Sequence, residues 1–436
     1  MNNLPRVLIV SREVWDDTTA STLSNLFEDY DSDKLAYMYI ETKVPNSNGC
    51  HRFFQISEFS LVHKLFKWRT KTGHAFDIND ENYQAVNNDK VASQEAATMQ
   101  YVRGHRSFGF TFAREILWAF NGWKSKELKQ FIQDYNPEVI FITGSPLILM
   151  NRLSRYVIKM AGKPYCVYEM DEVYPTKRLS WNPFEYLYNN WLRANVSKLI
   201  RGASHLYVIS PKMIKEYDAL FGTNSTILTK GIDFSKISYQ PQSIHKPIQM
   251  VYMGQVIYDR LSTLELIGKA LDEINKGAQH VTLNIYTITP IEEERKARMI
   301  INGNVVFRDP VPYAEVQHVI DQNDVVVFVE SLRDEYKHVA RLSFSTKITD
   351  YLTSGKCIFA VGPSDSAPIE YFIANDSAIV AGDYDGIKKQ LQKLLLPDMV
   401  KNYSLKAFNC GKKNHNKIYM DEILYKKIIQ LANNQN

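Results

Sequence analysis

The sequence has little cysteine, with four residues in a chain of 436, at positions 50, 166, 357 and 410. Their wide spacing gives neither a disulfide framework nor a zinc-binding pattern. Cys166 and Cys357 stand inside apolar runs, where a free cysteine packs as a small core residue. We therefore expect a protein of a reducing compartment.

The sequence also lacks long apolar runs, and none approaches the roughly 20 residues that a membrane-spanning helix needs. Its first residues, MNNLPRVLIVSREVW, contain too short an apolar segment for a signal peptide. The segment Val7 to Val10 is instead predicted to be a buried first strand. Together these features predict a cytoplasmic protein.

An excess of charge is missing as well, because 52 Lys and Arg residues face 48 Asp and Glu residues, a net charge of +4. So small a charge argues against nucleic acid as a partner. The whole excess lies between residues 51 and 130, where twelve basic residues face eight acidic ones. This region is rich in aromatic residues and includes the run KLFKWRTK (Lys64 to Lys71).

Basic residues interleaved with aromatic ones are typical of a surface that binds anionic lipid headgroups, here those at the inner face of the cell membrane. The alternative is a solvated charged face above an aromatic core, and the helical spacing of Trp118 and Phe120 favours burial of these two. For the run from Lys64 to Lys71 both interpretations stay open.

Short apolar runs alternate with amphipathic stretches along most of the chain. This alternation predicts an α/β fold with parallel strands and helices on both faces of each sheet. The stretch QPQSIHKP, residues 240–247, has two prolines and little apolar content, as an interdomain linker does. We predict two Rossmann-like domains that face each other across a cleft. The predicted ranges are 1–239 with an irregular region at about 45–105, 248–405 for the second domain, and 406–436 for a C-terminal helical segment that crosses back to the first domain.

The stretch SFSTKITDYLTSGKCIFAVGP, from Ser343 to Pro363, is the most informative part of the chain. Hydroxyl residues open a predicted helix that carries a lysine and an aspartate, stops at a glycine and leads into an apolar strand. Free N–H groups at a helix start, with hydroxyls and a lysine, can bind a diphosphate. Ordinary helix capping by serine and threonine is the alternative. The predicted nucleotide site consists of Ser345, Thr346, Lys347 and Asp350.

This order of elements resembles the nucleotide-binding segment of the two-domain GT-B glycosyltransferases, in particular the group-1, GT4-like family. There a glutamate five residues before the glycine holds the ribose, and Asp350 stands five residues before Gly355. The segments SHLYVISPKMIKEY, LTKGIDFSKI and MVYMGQVIYDRLSTLELI are similar to the last N-terminal strand-helix unit, the hinge and the first donor-domain strand and loop. The resemblance runs from about residue 130 to the C-terminus.

The resemblance implies transfer of a sugar from a nucleotide-sugar donor, such as a UDP- or GDP-sugar, to a glycan or lipid-linked acceptor. Assembly of bacterial surface polysaccharide, such as capsule, is the usual task of such sequences. The family commonly neutralises the leaving diphosphate with basic residues rather than a metal ion. The matching positions are Gly254, Gln255 and Arg260, and glutamine stands where arginine is frequent. We therefore expect Arg260 and Lys347 to supply the positive charge.

The sequence departs from the family pattern at Leu342, where a glutamate contacts the transferred sugar in the family. Glu330 and Arg341 are the candidate substitutes. The sugar and the stereochemical outcome therefore stay open. Two alternatives to a transferase also stay open, a sugar-nucleotide epimerase on the same fold and a non-catalytic protein that binds a nucleotide sugar.

An acceptor hydroxyl needs a base on the N-terminal side, and three carboxylates follow the apolar run PYCVYEM. Glu169, Asp171 and Glu172 are these candidates, because carboxylates at the C-terminus of a strand face the ligand crevice of an α/β sheet. A turn-capping role for Asp171 is equally compatible. Asp17 and His105 are weaker candidates.

Overall fold

The computed structural model describes residues 4–18, 21–41, 43–67, 69–80, 108–120, 122–174, 182–339 and 341–434. The chain divides into two compact units. Unit 1 comprises Met1–Ile209, Ile214–Leu228 and Asp421–Asn436, and unit 2 comprises Ser210–Met213 and Thr229–Met420.

Unit 1 is built on an eight-stranded sheet. Its strands are β1 (Val7–Val10), β2 (Leu35–Tyr39), β3 (Arg52–Ile56), β4 (Gly73–Asp77), β5 (Val139–Thr143), β6 (Tyr165–Glu169), β7 (His205–Val208) and β8 (Thr226–Ile227). The strand order is β4-β3-β2-β1-β5-β6-β7-β8, and every pair is parallel except β3 with β4. The central strands are apolar throughout, VLIV in β1 and VIFIT in β5, because helices cover both faces of such a sheet.

The helices that precede unit 2 are mostly amphipathic crossovers. They are α1 (Thr22–Leu26), α2 (Glu58–Phe66), α3 (Phe108–Ala119), α4 (Lys126–Tyr135), α5 (Ile148–Ala161), α6 (Pro183–Arg201) and α7 (Pro211–Phe221), with a 3-10 turn at Ser32–Lys34. The ends of α4 show how local sequence sets their limits. Ser125 caps the first turn by accepting a hydrogen bond from the Leu128 N–H at 3.0 Å, and Asn136 ends the helix in the left-handed conformation.

Unit 2 is built on a six-stranded parallel sheet. Its strands are β9 (Ile248–Met253), β10 (Val281–Tyr286), β11 (Val305–Arg308), β12 (Val325–Val329), β13 (Cys357–Val361) and β14 (Ile379–Ala381). The order is β11-β10-β9-β12-β13-β14, so the chain first builds outward from β9 on one side and then returns to add β12 on the other. The reversal between β9 and β12 is a topological switch point, where open α/β sheets bind ligands.

The helices from unit 2 to the chain end pack on this sheet and against one another. They are α8 (Arg260–Ile274), α9 (Glu293–Ile300), α10 (Val316–Asp321), α11 (Thr346–Thr353), α12 (Ala367–Ala374), α13 (Tyr384–Leu394), α14 (Met399–Asn414) and α15 (Lys417–Asn433), with a 3-10 turn at Tyr313–Glu315. From residue 421 onward, α15 belongs to unit 1. There the Tyr425 hydroxyl donates to the Leu26 carbonyl at 3.3 Å, and its ring packs edge-on against Tyr30.

Three sequence predictions need correction. The predicted linker, 240–247, lies inside unit 2, because His245 hydrogen-bonds to Asp324 at 2.9 Å and fixes the segment to the sheet. The described part of the region 45–105 is not irregular, since β3, α2 and β4 lie in it and extend the edge of the sheet. Trp118 is buried as predicted, but Phe120 is 70% exposed, because positions two residues apart do not lie on the same side of a helix.

All four cysteines are buried, which confirms Cys166 and Cys357 as core residues. In the described ranges, no helix combines the length and the apolar content needed to cross a membrane.

Candidate functional site

The strand ends at the switch point of unit 2 bring together several residues singled out in the sequence. Gly254 follows β9 and has φ +146°, a conformation that side chains rarely allow. A Cβ atom at this position would lie 1.8 Å from the Lys347 ammonium nitrogen. The backbone conformation therefore favours glycine at position 254, and a side chain here would also displace the lysine ammonium group.

Lys347 lies in the first turn of α11 and directs its ammonium group to the end of β9. The ammonium nitrogen stands 5.6 Å from the centre of the Tyr252 ring, within cation–π range. Burial and the neighbouring charge of Arg260 together lower the pKa of Lys347 to about 8, although the charge of Glu330 opposes both effects. No carboxylate in the described part of the chain forms an ion pair with it.

Arg260 begins α8 and is held by Glu330, which directly follows β12. The pair is bidentate, with Nε 2.9 Å from Oε2 and Nη2 3.0 Å from Oε1. Burial raises the pKa of Glu330, and the charge of Arg260 opposes this shift. Two cations, Arg260 and Lys347, thus lie near a single carboxylate that is paired with Arg260, and a net positive charge remains at the switch point.

The other residues predicted to bind the nucleotide sugar lie on α11 or in the loop after β9. Ser345 is the N-cap of α11 but forms no side-chain capping bond, and Thr346 is the first helical residue. Asp350, one turn further on, forms an ion pair with Lys230 at 2.6 Å, which the sequence did not indicate. The carbonyl of Gln255 accepts a hydrogen bond from the Tyr252 hydroxyl at 2.7 Å.

The position of the missing family glutamate offers no polar group. Leu342 is buried in unit 2. The candidate substitute Glu330 has both carboxylate oxygens engaged by Arg260, so its role in this structure is to position that arginine.

A second group of polar residues lies at the carboxyl edge of the sheet in unit 1. Glu169 is the last residue of β6, is 1% exposed, and its Oε2 atom has no hydrogen-bond partner. The carboxyl group lies so close to Gly144 that a Cβ atom there would be 1.9 Å from Oε2. Burial, reinforced by the charge of Asp171, raises the pKa of Glu169 to about 8.

The remaining base candidates differ in access to solvent. Asp171 is exposed and Glu172 is half-buried. Asp17 stabilises the loop in which it lies, because its carboxylate accepts hydrogen bonds from the Trp15 indole and the Asn48 N–H, each at 2.7 Å. His105 lies outside the described residues.

Sequence reasoning missed polar residues that directly follow other strands of unit 1. Arg12 and Glu13 come after β1, and Glu41 follows β2. Burial raises the pKa of Glu13, and the nearby charges of Glu41 and Asp171 raise it further. The signal that could have found them is their position after predicted strands at the carboxyl edge. The sequence around Lys230 gave no comparable indication that this residue pairs with Asp350.

No cluster of three or more His, Cys, Asp or Glu side chains suited to a metal ion occurs within the ranges that the structure describes.

The two parallel-sheet units define the chain as a protein of the GT-B fold, the fold of its glycosyltransferase neighbours. The chain is similar over 97% of its length to OtsA, with 9% identity, a TM-score of 0.57 and 99% of that chain covered. It is similar over 97% to the UDP-forming α,α-trehalose-phosphate synthase from Burkholderia xenovorans bound to glucose-6-phosphate, with 11% identity, a TM-score of 0.56 and 100% of that chain covered.

A third similar structure is the pneumococcal O-GlcNAc transferase GtfA in complex with UDP and GlcNAc, with 12% identity, a TM-score of 0.50 and 71% of this chain covered. This chain spans 60% of the length of that transferase. No protein-family model and no curated protein sequence matches the chain. At these identities the likeness shows the fold, and membership of the GT4-like group stays a prediction.

Proposed function

We propose that the protein is a glycosyltransferase that moves a sugar from a nucleotide-sugar donor to a hydroxyl of a glycan or lipid-linked acceptor. The observation that carries this proposal is the excess positive charge at the switch point of unit 2, where Glu330 pairs with Arg260 and Lys347 forms no ion pair with a described carboxylate. Partial desolvation of an ammonium group without an ion-pair partner costs free energy, which an incoming anion offsets. The fold adds support, since GtfA binds UDP on it.

In this proposal the diphosphate lies between Lys347 and the start of α11. The N–H groups of the first helical turn are not capped by the Ser345 side chain and can donate to phosphate oxygens. Gly254 lets the phosphate approach the backbone after β9. Arg260, fixed by Glu330, stabilises the charge that develops on the departing diphosphate, so no metal ion is required.

The acceptor hydroxyl is activated on unit 1, and Asp171 is the proposed base. It is exposed, whereas Glu169 holds its proton at neutral pH because burial raises its pKa to about 8. A protonated carboxyl group cannot accept a proton, so Glu169 is assigned a positioning role near Asp171. The acceptor proposed here belongs to surface polysaccharide assembly at the inner face of a bacterial membrane.

Incubation with a panel of UDP- and GDP-sugars should release nucleoside diphosphate in the presence of EDTA at the same rate as without it. The reason is that Lys347, Arg260 and the helix start already supply the positive charge that a metal would supply. Release is followed by a coupled assay, with and without membrane lipid extract as acceptor. Activity lost in EDTA and restored by magnesium or manganese would show that the site needs a metal ion.

Asp350→Ala should weaken nucleoside diphosphate binding at least about tenfold, roughly 1.4 kcal/mol, because a charge-assisted hydrogen bond to the ribose is lost. Asp350 remains 26% exposed beside Lys230, so it can still accept from a ribose hydroxyl. Calorimetric titration measures the change. Asp376→Ala, which breaks a surface ion pair with Lys406, is the matched control and should leave affinity unchanged. Equal affinity for Asp350→Ala and the wild type would refute the ribose assignment.

A further inference from the structure

Three helices of unit 1 expose apolar side chains that the proposed reaction does not use. On α2, Phe66 is 84% exposed and Leu65 lies exposed beside it. On α3, Ile116 is exposed, and Phe120 follows the end of the helix. Single exposed apolar residues are common, but groups of large ones on neighbouring elements mark an interaction surface.

The third helix, α6, shows the pattern most clearly. Phe184, Leu187 and Trp191 are all exposed and stand at positions i, i+3 and i+7, which place them on one face of the helix. Tyr188 and Leu192 lie next to this stripe around the helix and are buried. The apolar surface of α6 is therefore wider than the part that packs on unit 1, and the stripe of Phe184, Leu187 and Trp191 is left exposed.

Two buried carboxylates join these helices into one cluster. Glu58, the first residue of α2, accepts hydrogen bonds from Arg114 and Trp118 of α3, at 2.5 and 2.9 Å. Glu115 of α3 accepts from the Ile148 N–H at the start of α5, at 2.9 Å, and contacts the Tyr188 hydroxyl of α6 at 3.4 Å. The exposed stripes of α2, α3 and α6 thus belong to one helix cluster.

The same carboxylates decide the charge that this cluster presents to solvent. Glu58 and Glu115, the acidic residues of segments 58–71 and 108–126, are both buried, whereas Glu127, next to Lys126, and Glu185 of α6 are half-exposed. The basic residues of these segments include Lys67, Lys71 and Lys126, which are exposed. The cluster therefore presents apolar side chains together with exposed lysines, which outnumber the half-exposed carboxylates of Glu127 and Glu185.

We propose that α2, α3 and α6 form a membrane-docking surface for a bilayer of anionic phospholipid. Exposed aromatic and aliphatic side chains enter the interface, and the lysines contact the negative headgroups. This proposal rests on the proposed transferase function and makes its acceptor a lipid-linked one, because docking brings unit 1 to the layer where such an acceptor resides. The sequence indicated only the basic-aromatic part, of which Trp68 lies outside the described residues. The stripe on α6 is visible only in the structure.

Sedimentation with phosphatidylglycerol vesicles tests the surface. The variant Phe66→Gln, Phe120→Gln, Leu187→Gln removes one exposed apolar side chain from each helix, and its vesicle partition coefficient should fall at least about tenfold. The control Ile288→Gln, Ile301→Gln, Ile418→Gln removes side chains that are 67%, 75% and 66% exposed on unit 2 and should bind like the wild type. Thermal melting verifies that both variants are folded.

A charge variant, Lys67→Gln, Lys71→Gln, Lys126→Gln, should weaken binding at low salt, and binding by the wild type should decline as salt rises, because headgroup attraction is screened. Equal binding by the two apolar variants, or failure of the wild type to bind, would overturn the proposal. A dimer in solution that only the first variant dissociates, without vesicle binding, would make the surface an interface between copies of the chain. Nucleoside diphosphate titration without vesicles tests the donor site separately.

Discussion

Lys347→Met is expected to weaken nucleoside diphosphate binding about a hundredfold and, at the same time, to stabilise the protein. A charge-assisted hydrogen bond to a phosphate contributes up to about 3 kcal/mol, and about 2.7 kcal/mol corresponds to a hundredfold change in affinity. Methionine has an unbranched side chain of similar length but lacks the ammonium group, which stands 5.6 Å from the centre of the Tyr252 ring. Arg260 and Glu330 remain paired, so the surrounding structure keeps its geometry.

The gain in stability follows from the lowered pKa of Lys347. In the unfolded chain this lysine keeps its proton up to its ordinary pKa of 10.5, whereas in the folded protein it loses the proton above about pH 8. The charged form therefore costs stability below pH 8, and this cost disappears as the pH rises from 8 to 10.5. At about 1.4 kcal/mol per pH unit, the variant should be more stable at pH 7 by up to about 3 kcal/mol.

Calorimetric titration and thermal melting at pH 7 and pH 10.5 measure the two effects. Lys388→Met, which removes a surface lysine paired with Glu273 on unit 2, serves as the control and should change neither quantity appreciably. Gly254→Ala should also weaken nucleotide binding, because its Cβ atom displaces the Lys347 ammonium. A Lys347→Met variant that binds nucleotide normally would contradict a binding role for the lysine, and one that is less stable at pH 7 would contradict the cost of holding its charge in the folded protein.

Much of the fold could be predicted because most of its strands are short apolar runs that are recognisable in the local sequence. The runs at Val139 and Cys357 are apolar throughout and bounded by polar or glycine residues, and both became buried parallel strands at the predicted positions. The helix that carries Lys347 and Asp350 was also predicted, since its start, its end at a glycine and its following strand form one local pattern. Whether this helix binds nucleotide remains a prediction.

The pairings of the candidate site could not be predicted, because they depend on strand order rather than on local pattern. Arg260 and Glu330 are 70 residues apart, and they meet only because β12 returns to the side of β9. Lys230 and Asp350 are 120 residues apart, and neither directly follows a strand of the sheet in unit 2. Short stretches of sequence show which residues can be charged, but the order of strands in the sheet decides which of these residues form ion pairs.

The exposure of individual side chains was the second feature that could not be predicted from the sequence. Trp118 is buried and Phe120 is exposed, because positions two residues apart point to different sides of a helix and cannot both face the core. The strands β3 and β4 were missed for a related reason. Both mix polar with apolar residues, RFFQI in β3 and GHAFD in β4, so the place of β4 at the sheet edge comes from pairing with β3 rather than from an apolar run.

The second large effect is expected at Glu169, whose substitution by glutamine should remove a steep dependence of stability on pH. In the folded protein this carboxyl group keeps its proton up to about pH 8, whereas in the unfolded chain it loses the proton near its ordinary pKa of 4.5. Between these values the unfolded state binds fewer protons than the folded state, so the wild-type stability falls as the pH rises. The fall is about 1.4 kcal/mol per pH unit, or about 4 kcal/mol between pH 5 and pH 8.

Denaturant unfolding of the wild type and of Glu169→Gln from pH 5 to pH 9 measures this dependence. Glutamine has the same shape but does not titrate, so the stability difference should shift in favour of the variant by that amount and level off above pH 8. Its buried amide adds a cost that is independent of pH, so the slope is decisive rather than the absolute difference. Asp171→Asn should lower the upper limit of the steep range, because the charge of Asp171 helps to hold the proton on Glu169. Parallel pH profiles for the wild type and Glu169→Gln would mean that Glu169 is ionised in the folded protein, and the proposed base would then have to be reassigned from Asp171 to Glu169.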